Sequence, residues 1–162
     1  MVEPTVRLEP LREAHADALF DGLSDPDLYT YLDEPPPPSL DWLRRRFATL
    51  ARGAPPDVDE TWRNWVIVAP DGRLLGTTQA TIRPAGPTSI AYVLVADEQH
   101  RGYGRAAVRQ MLQVLAADHG RHDLQAEIDP RNERSARLVR ALGSTRSGTV
   151  ASDDIYVRRS DP

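Results

Sequence analysis

Residues 88–107 read Thr-Ser-Ile-Ala-Tyr-Val-Leu-Val-Ala-Asp-Glu-Gln-His-Arg-Gly-Tyr-Gly-Arg-Ala-Ala, and this run constrains the fold more than any other. Ile90 to Ala96 is apolar and rich in residues that fit a pleat, so it predicts a buried strand. A short polar turn follows, with Gly102 and Gly104. Beyond it Val108, Met111, Leu112 and Leu115 fall at i, i+3, i+4 and i+7, one face of a helix. Strand, glycine turn and helix start together form a device for holding phosphate. Glycine lets the backbone approach closely, and the free N–H groups and positive dipole end of a helix attract an anion. A purely structural strand-to-helix turn would carry the same residues. Gly102 to Ala107 also fits the dinucleotide pattern G-x-G-x-x-G/A, with Asp123 about twenty residues on. Such a half normally opens a longer βαβ series, and only 60 residues follow Gly102.

The rest of the chain supplies a mixed set of elements. Thr5 to Leu8 predicts a first strand. Leu11, His15, Ala18, Leu19, Gly22 and Leu23 trace a helix face, on which His15 reads as a packed histidine. Asp25-Pro26 predicts a second short helix carrying Leu28, Tyr29 and Leu32. Pro35 to Pro38 must be extended, because prolines cannot continue a helix. Ser39 then caps a helix with Leu40, Leu43, Phe47 and Leu50 on one face, and Arg44, Arg45 and Arg46 in its solvated charge run. Trp62–Ala69 and Arg73–Ile82 flank Pro70-Asp71-Gly72, a hairpin signal. Gly120 ends the long helix, Leu124 to Asp129 reads as a strand, and Asn132 caps a helix that stops at Gly143. Thr145–Val150 and Ile155–Arg158 predict a closing pair of strands. The order is β, α, α, α, β, β, β, α, β, α, β, β, with a hairpin meander in the middle, so the sheet is expected to be mixed. No repeat or domain boundary interrupts residues 1–162, which read as a single domain.

Composition excludes several classes of function. The chain has no cysteine, so disulfides, thiolate metal sites and a cysteine nucleophile are all ruled out. All 20 basic residues are arginine, which removes lysine Schiff-base chemistry. A net charge of −4 argues against nucleic acid as partner and suits a cationic one. No stretch approaches the roughly 20 apolar residues of a membrane span, and Met1 opens no apolar signal segment. No metal-ligand constellation is present. These features predict a cytoplasmic protein.

Gln99-x-x-Gly102-x-Gly104 resembles the acyl-CoA pyrophosphate loop of the GNAT superfamily, the Gcn5-related N-acetyltransferases. Arg7-Leu8-Glu9-Pro10-Leu11 followed by Leu23-Ser24-Asp25-Pro26 resembles the start of its RimJ/RimL-like branch. Asn132-x-x-Ser135-x-Arg137-Leu138, ending at Leu142-Gly143, resembles the asparagine–serine helix of that branch. The resemblance spans nearly the whole chain. It implies an α/β (α+β) GNAT fold, with a central mixed, mostly antiparallel twisted sheet of 6–7 strands flanked by about 4–5 helices. Two departures stand out. Ser144 takes the place of the usual phenylalanine after the last glycine, and Ser147 to Asp154, where substrate contacts often arise in the family, is short and polar.

What the resemblance implies is direct transfer of the acetyl group of acetyl-CoA to a primary amine, either a protein N-terminus or a small molecule. Backbone N–H groups of Arg101, Gly102, Tyr103, Gly104, Arg105 and Ala106 would cradle the pyrophosphate, with Gln99 opening the loop. Pantetheine would lie along Val93, Leu94 and Val95 and touch Asn132 and Ser135. Arg101, Arg105 and Arg140 are the arginines expected to meet CoA phosphates. The Val95 N–H would be the oxyanion donor, and Ser135 the acid for the departing thiolate. Strand alternation puts Gln125, Glu127 and Asp129 on one face, which makes Glu127 the first candidate for the base. Tyr92, Asp129 and Asp153 follow it. His100, His119 and His122 are read as solvent-facing or helix-end residues. Homodimers are common among such folds. A non-catalytic CoA-binding module would keep the loop without an efficient base, and a dinucleotide-binding domain is the third reading.

Overall fold

The computed structural model describes residues 2–159. Seven strands and four α-helices alternate in the order β1 (Arg7–Pro10), α1 (His15–Leu23), α2 (Leu40–Arg52), β2 (Thr61–Val68), β3 (Leu74–Ile82), β4 (Thr88–Leu94), α3 (Tyr103–His119), β5 (Leu124–Ile128), α4 (Glu133–Ala141), β6 (Thr145–Val150) and β7 (Asp153–Arg158). They form one sheet in the order β1-β2-β3-β4-β5-β7-β6. All neighbours are antiparallel except β4 and β5, which run parallel. The sheet is thus mixed, as the element order implied, and mostly antiparallel, as the resemblance implied.

Side-chain alternation sorts the core onto the two faces of this sheet. Val66 and Val68 face α1 and α2, where they meet Leu19, Leu43 and Phe47. Trp65 and Ile67 point to the other side, where Trp65 packs with Met111 and Leu115 of α3. Burying each such large aliphatic side chain stabilises the fold by roughly 1.5–3 kcal/mol. Helix ends are closed as the sequence required. Ser39 Oγ accepts from Trp42 N at 3.1 Å, a cap typically worth about 1 kcal/mol. Gly120, at φ 60°, ends α3, with its N–H bonded to Ala116 O and that of Arg121 to Leu115 O.

Several expected boundaries move. The first strand is Arg7–Pro10 rather than Thr5–Leu8, because its ladder pairs Arg7 with Val68 and Pro10 with Trp65. Pro10 is tolerated there because β1 is an edge strand. The short helix at Asp25-Pro26 is a single 3₁₀ turn, Pro26–Tyr29, too short for a packed face. The apolar run to Ala96 leaves the sheet at Leu94 and enters a 3₁₀ turn at Ala96–Glu98. The closing strand β7 starts at Asp153 rather than Ile155, while β6 keeps its expected bounds, so little of residues 147–154 is left as a connection. They are mostly ladder of the β6–β7 hairpin, in which Val150 pairs with Asp153.

His15 is buried at the start of α1, and its Nδ1 accepts the Arg12 backbone N–H at 3.0 Å. That bond requires an unprotonated nitrogen. Burial, reinforced by the Arg12 charge, holds the imidazole below its ordinary pKa. Unfolded chain therefore binds a proton more readily than folded chain. Stability is full above the ordinary value of about 6.5 and falls as pH drops through the folded one. The melting temperature is expected to fall more between about pH 7 and pH 5 in the wild type than in His15→Gln. Equal slopes would remove His15 as the cause.

Candidate active site

The parallel pair β4–β5 is joined only at Thr88–Leu124 and Ser89–Gln125. Beyond that point β4 stays with β3 as far as Leu94, and β5 stays with β7 as far as Ile128. A wedge therefore opens in the middle of the sheet. Its backbone donors follow from alternation. Thr88 N–H donates to Asp123 O at 2.9 Å, and Val95 N–H donates to Leu75 O at 2.9 Å. Even-numbered N–H groups of β4 thus face β5 and odd-numbered ones face β3. The donors turned into the wedge are those of Tyr92 and Leu94. This corrects the expectation for Val95, whose N–H is held inside the sheet.

Side chains at the wedge divide between its two faces. Toward α3 and α4 lie Tyr92 and Leu94. On the opposite face, Gln79 and Thr81 of β3, Ser89 of β4 and Gln125 and Glu127 of β5 line a polar groove of about 240 Å³. Glu127 is exposed in that groove. Asp129, one step past the end of β5, is turned aside. Both its oxygens accept from Arg131, at 2.7 and 3.0 Å, and these bonds hold its pKa down to about 2. Asp153 is pushed up, by burial first and then by the charges of Asp129, Asp33 and Asp154. These groups make the end of β5 acidic.

The glycine loop sits at the mouth of the wedge. Gly102 adopts φ 84° and α3 starts at the next residue. The N–H of Ala106 already donates to Gly102 O at 3.1 Å, so the free donors of the first turn end at Arg105. Tyr103 packs its ring against Ile67, Ala69, Leu75 and Ala107, and serves as the loop's anchor. The expected arginines are mostly engaged. Arg101 lies 3.7 Å from Glu98, which also pairs with Arg73. Arg105 and Arg109 both face Glu3, at 3.5 and 3.2 Å. Pro4 of the same segment lies over Gly102. Arg140 is not at the loop. It bonds Tyr156 Oη at 2.9 Å on the far side of α4.

Arg134 takes the position at the loop that Arg140 was expected to fill. Its Nη1 donates to Gln99 Oε1 at 2.6 Å and lies 3.0 Å from His100 Nε2, so His100 faces α4. Gln99 in turn donates Nε2–H to Leu94 O at 3.1 Å. One side chain thus ties the end of β4 to the first turn of α4. The only sequence signal for Arg134 was its place two residues after the Asn132 cap.

Asn132 Oδ1 accepts the Ser135 backbone N–H at 3.2 Å, the capping bond its position implied. Ser135 Oγ accepts from the Tyr92 hydroxyl at 3.1 Å. Burial raises the Tyr92 pKa, so the phenol is a donor at neutral pH. Asn132, Ser135 and Tyr92 therefore converge on one face of the wedge, and Glu127 stands on the other. Val93 and Val95 face α1 and α2, and Val95 lies against Gly22.

A family model described as an acetyltransferase (GNAT) domain matches residues 5–145. The chain belongs to the GNAT acetyltransferase family. No curated protein matches its sequence at a significant level. Among solved structures, a candidate acetyltransferase from T. thermophilus is 25% identical, with a TM-score of 0.73 over 97% of this chain and 89% of that one. Two more distant structures show the shared fold. Spermidine N-acetyltransferase from Vibrio cholerae, solved with CoA and spermine, is 15% identical, with a TM-score of 0.75 over 94% of this chain and 93% of that one. Aminoglycoside acetyltransferase AAC(6')-Ib, solved with coenzyme A, is 19% identical, with a TM-score of 0.77 over 95% and 94%. In this GNAT chain the split strands, the glycine loop and the asparagine-capped helix meet at one place, although they are distant in sequence.

Proposed function

We propose that this GNAT domain, residues 1–162, uses acetyl-CoA to N-acetylate a small cationic amine in the cytoplasm. The wedge between β4 and β5 carries the reading, with its two open N–H groups, a hydroxyl pair on one face and a carboxylate groove on the other. The residues present fit acetyl-CoA. Gly102 is exposed ahead of α3 and Gly104 lets the first turn sit close on Leu138 and Leu94, and the free first-turn N–H groups through Arg105 suit a pyrophosphate. Arg134 adds a cation there. Tyr92 and Leu94 leave a polar backbone edge beside which an extended arm would lie. When bound, acetyl-CoA supplies a thioester whose carbonyl an amine can attack.

The chain's own groups divide the remaining work. The Leu94 N–H would donate to the carbonyl oxygen as it gains charge, a contribution on the order of 3 kcal/mol for a fixed donor. Ser135, the acid that its RimJ/RimL-like motif implies, would act on the departing sulfur as a hydrogen-bond donor. Glu127 would take the proton that an amine carries at neutral pH, directly or through water in the groove. Asp33 and Asp153 lie close enough at the end of β5 to raise one another's charge cost, and carboxylates so placed suit an acceptor that carries more than one positive charge. The structural neighbours solved with spermine and with kanamycin support this choice. No helix among the described residues is long and apolar enough to cross a membrane.

The deciding experiment is a thermal shift with acetyl-CoA, CoA, NAD and ATP in parallel, followed by an amine panel. A ligand at 100 times its Kd adds about 2.7 kcal/mol. Stabilisation by acetyl-CoA and turnover of a polyamine or amino sugar are the expected results. A response to NAD alone overturns the reading, and binding without any turnover points to a regulatory module. Glu127→Gln is expected to lower kcat about 100-fold near pH 7, with little change in acetyl-CoA affinity. Full turnover in that variant would move the base elsewhere.

A further inference from the structure

We infer that Tyr92 is a positioning residue for the leaving sulfur, acting through Ser135, an assignment that rests on the acetyl-transfer reading above. Ser135 stands in the first turn of α4, where a serine hydroxyl ordinarily rotates among three staggered wells and bonds nearby backbone. Here the Tyr92 hydroxyl donates to its Oγ at 3.1 Å. A serine hydroxyl has one hydrogen to donate and two lone pairs. With an incoming bond on the oxygen, that hydrogen remains unspent, and the occupied lone pair restricts where it can point. The backbone N–H of Ser135 is held separately by Asn132, so the serine is fixed at both ends.

The tyrosine is itself well fixed. Its ring packs in the α3–α4 side of the core with Leu138, and a Cβ on Gly104 would come within 3.6 Å of its Cε2. The bare glycine at the start of α3 therefore also makes room for the ring. Arg134, one residue before Ser135, is the charged group whose field reaches the phenol. A hydroxyl that already accepts from a second hydroxyl is polarised and donates more strongly. The pair would stabilise by hydrogen bonding the thiolate set free as the N–C bond forms and the C–S bond breaks, with neither hydroxyl giving up its proton; the proton shed by the acylated nitrogen reaches the thiolate through water.

The test does not depend on turnover. Ionisation of the thiol of CoA bound to the full chain is followed by its ultraviolet thiolate absorbance against pH, in wild type, Tyr92→Phe, Ser135→Ala and the double variant. The bound thiol is expected to ionise about one pH unit lower in wild type than in Tyr92→Phe, a tenfold shift in its equilibrium. Ser135→Ala should give the same loss, and the double variant no more, as residues acting as one unit do. Tyr92→Phe should also lower kcat about tenfold with the KM for acetyl-CoA unchanged. A shift with Ser135→Ala but not with Tyr92→Phe overturns the role of Tyr92. Losses that add in the double variant overturn the coupling. If CoA binds, amine turnover persists and no variant moves the thiol, both hydroxyl assignments fall while acetyl transfer stands. If CoA does not bind the wild type, the acetyl-transfer reading falls, and this inference with it.

Discussion

Gly76→Val is expected to destabilise the protein by about 4 kcal/mol or more, close to the whole stability of many domains of this size. Gly76 lies inside β3, paired with Ile67 on one side and Leu94 on the other. Its φ of 154° belongs to glycine, and any Cβ built there overlaps the Val93 carbonyl oxygen. A backbone oxygen in a central ladder cannot rotate away as a side chain can. The strand must shift, and the shift falls on the register that turns the Leu94 N–H into the wedge. Chemical denaturation should show a large loss in midpoint, or no soluble folded protein at all. Gly76→Ala separates the causes, because the Cβ alone makes the overlap. It is expected to fail nearly as badly. An alanine variant within about 1 kcal/mol of wild type would show that the strand yields easily, and the account of this glycine would be wrong.

Gly104→Val is expected to weaken acetyl-CoA binding by more than about 100-fold, equivalent to roughly 2.7 kcal/mol, while leaving a folded protein. Two effects combine. The residue is at the second position of α3, where a bare backbone is proposed to face the pyrophosphate. Its missing side chain is also met from below. A Cβ would lie 3.2 Å from Leu138 Cδ1 and 3.4 Å from Leu94 Cδ1. Both are ends of flexible side chains, so Gly104→Ala should be tolerated with a small shift. Valine adds two more carbons in a packed seam, and such overpacking typically costs about 1–3 kcal/mol. Leu94 and Tyr92 would be pushed toward the wedge. Titration calorimetry with acetyl-CoA, beside a melting curve, distinguishes the two parts. Unchanged affinity in Gly104→Val would dismiss the loop as the CoA site.

The elements that were legible in sequence are those whose formation is local. The α2 stripe of Leu43 and Phe47, the Pro70-Asp71-Gly72 turn and the Gly120 stop each rest on residues within a few positions of one another. Those misread have weak local signals. Pro26–Tyr29 carries four residues, too few for periodicity to separate a 3₁₀ turn from a helix. β7 begins at Asp153, two residues before the expected Ile155, because Asp153 and Asp154 are polar and carry no apolar alternation that would mark them as strand.

For the site, the sequence by itself determined the parts. It placed a glycine turn after a buried strand, an asparagine cap three residues before Ser135, and Glu127 on the polar face of its strand. Each of these depends on short-range geometry and residue type. Tertiary structure alone decided how they meet. Whether Val95 or Leu94 turns its N–H into the wedge depends on the pairing of β4 with β3, and a shift of one residue reverses it. The Tyr92–Ser135 bond joins residues 43 positions apart. Arg134 displaced Arg140 at the loop because α4 presents only its first turn there, while Arg140 lies nearly two turns on, against Tyr156. Backbone preferences act over a few residues, whereas the register of a sheet and the docking of a helix are set by the whole buried core.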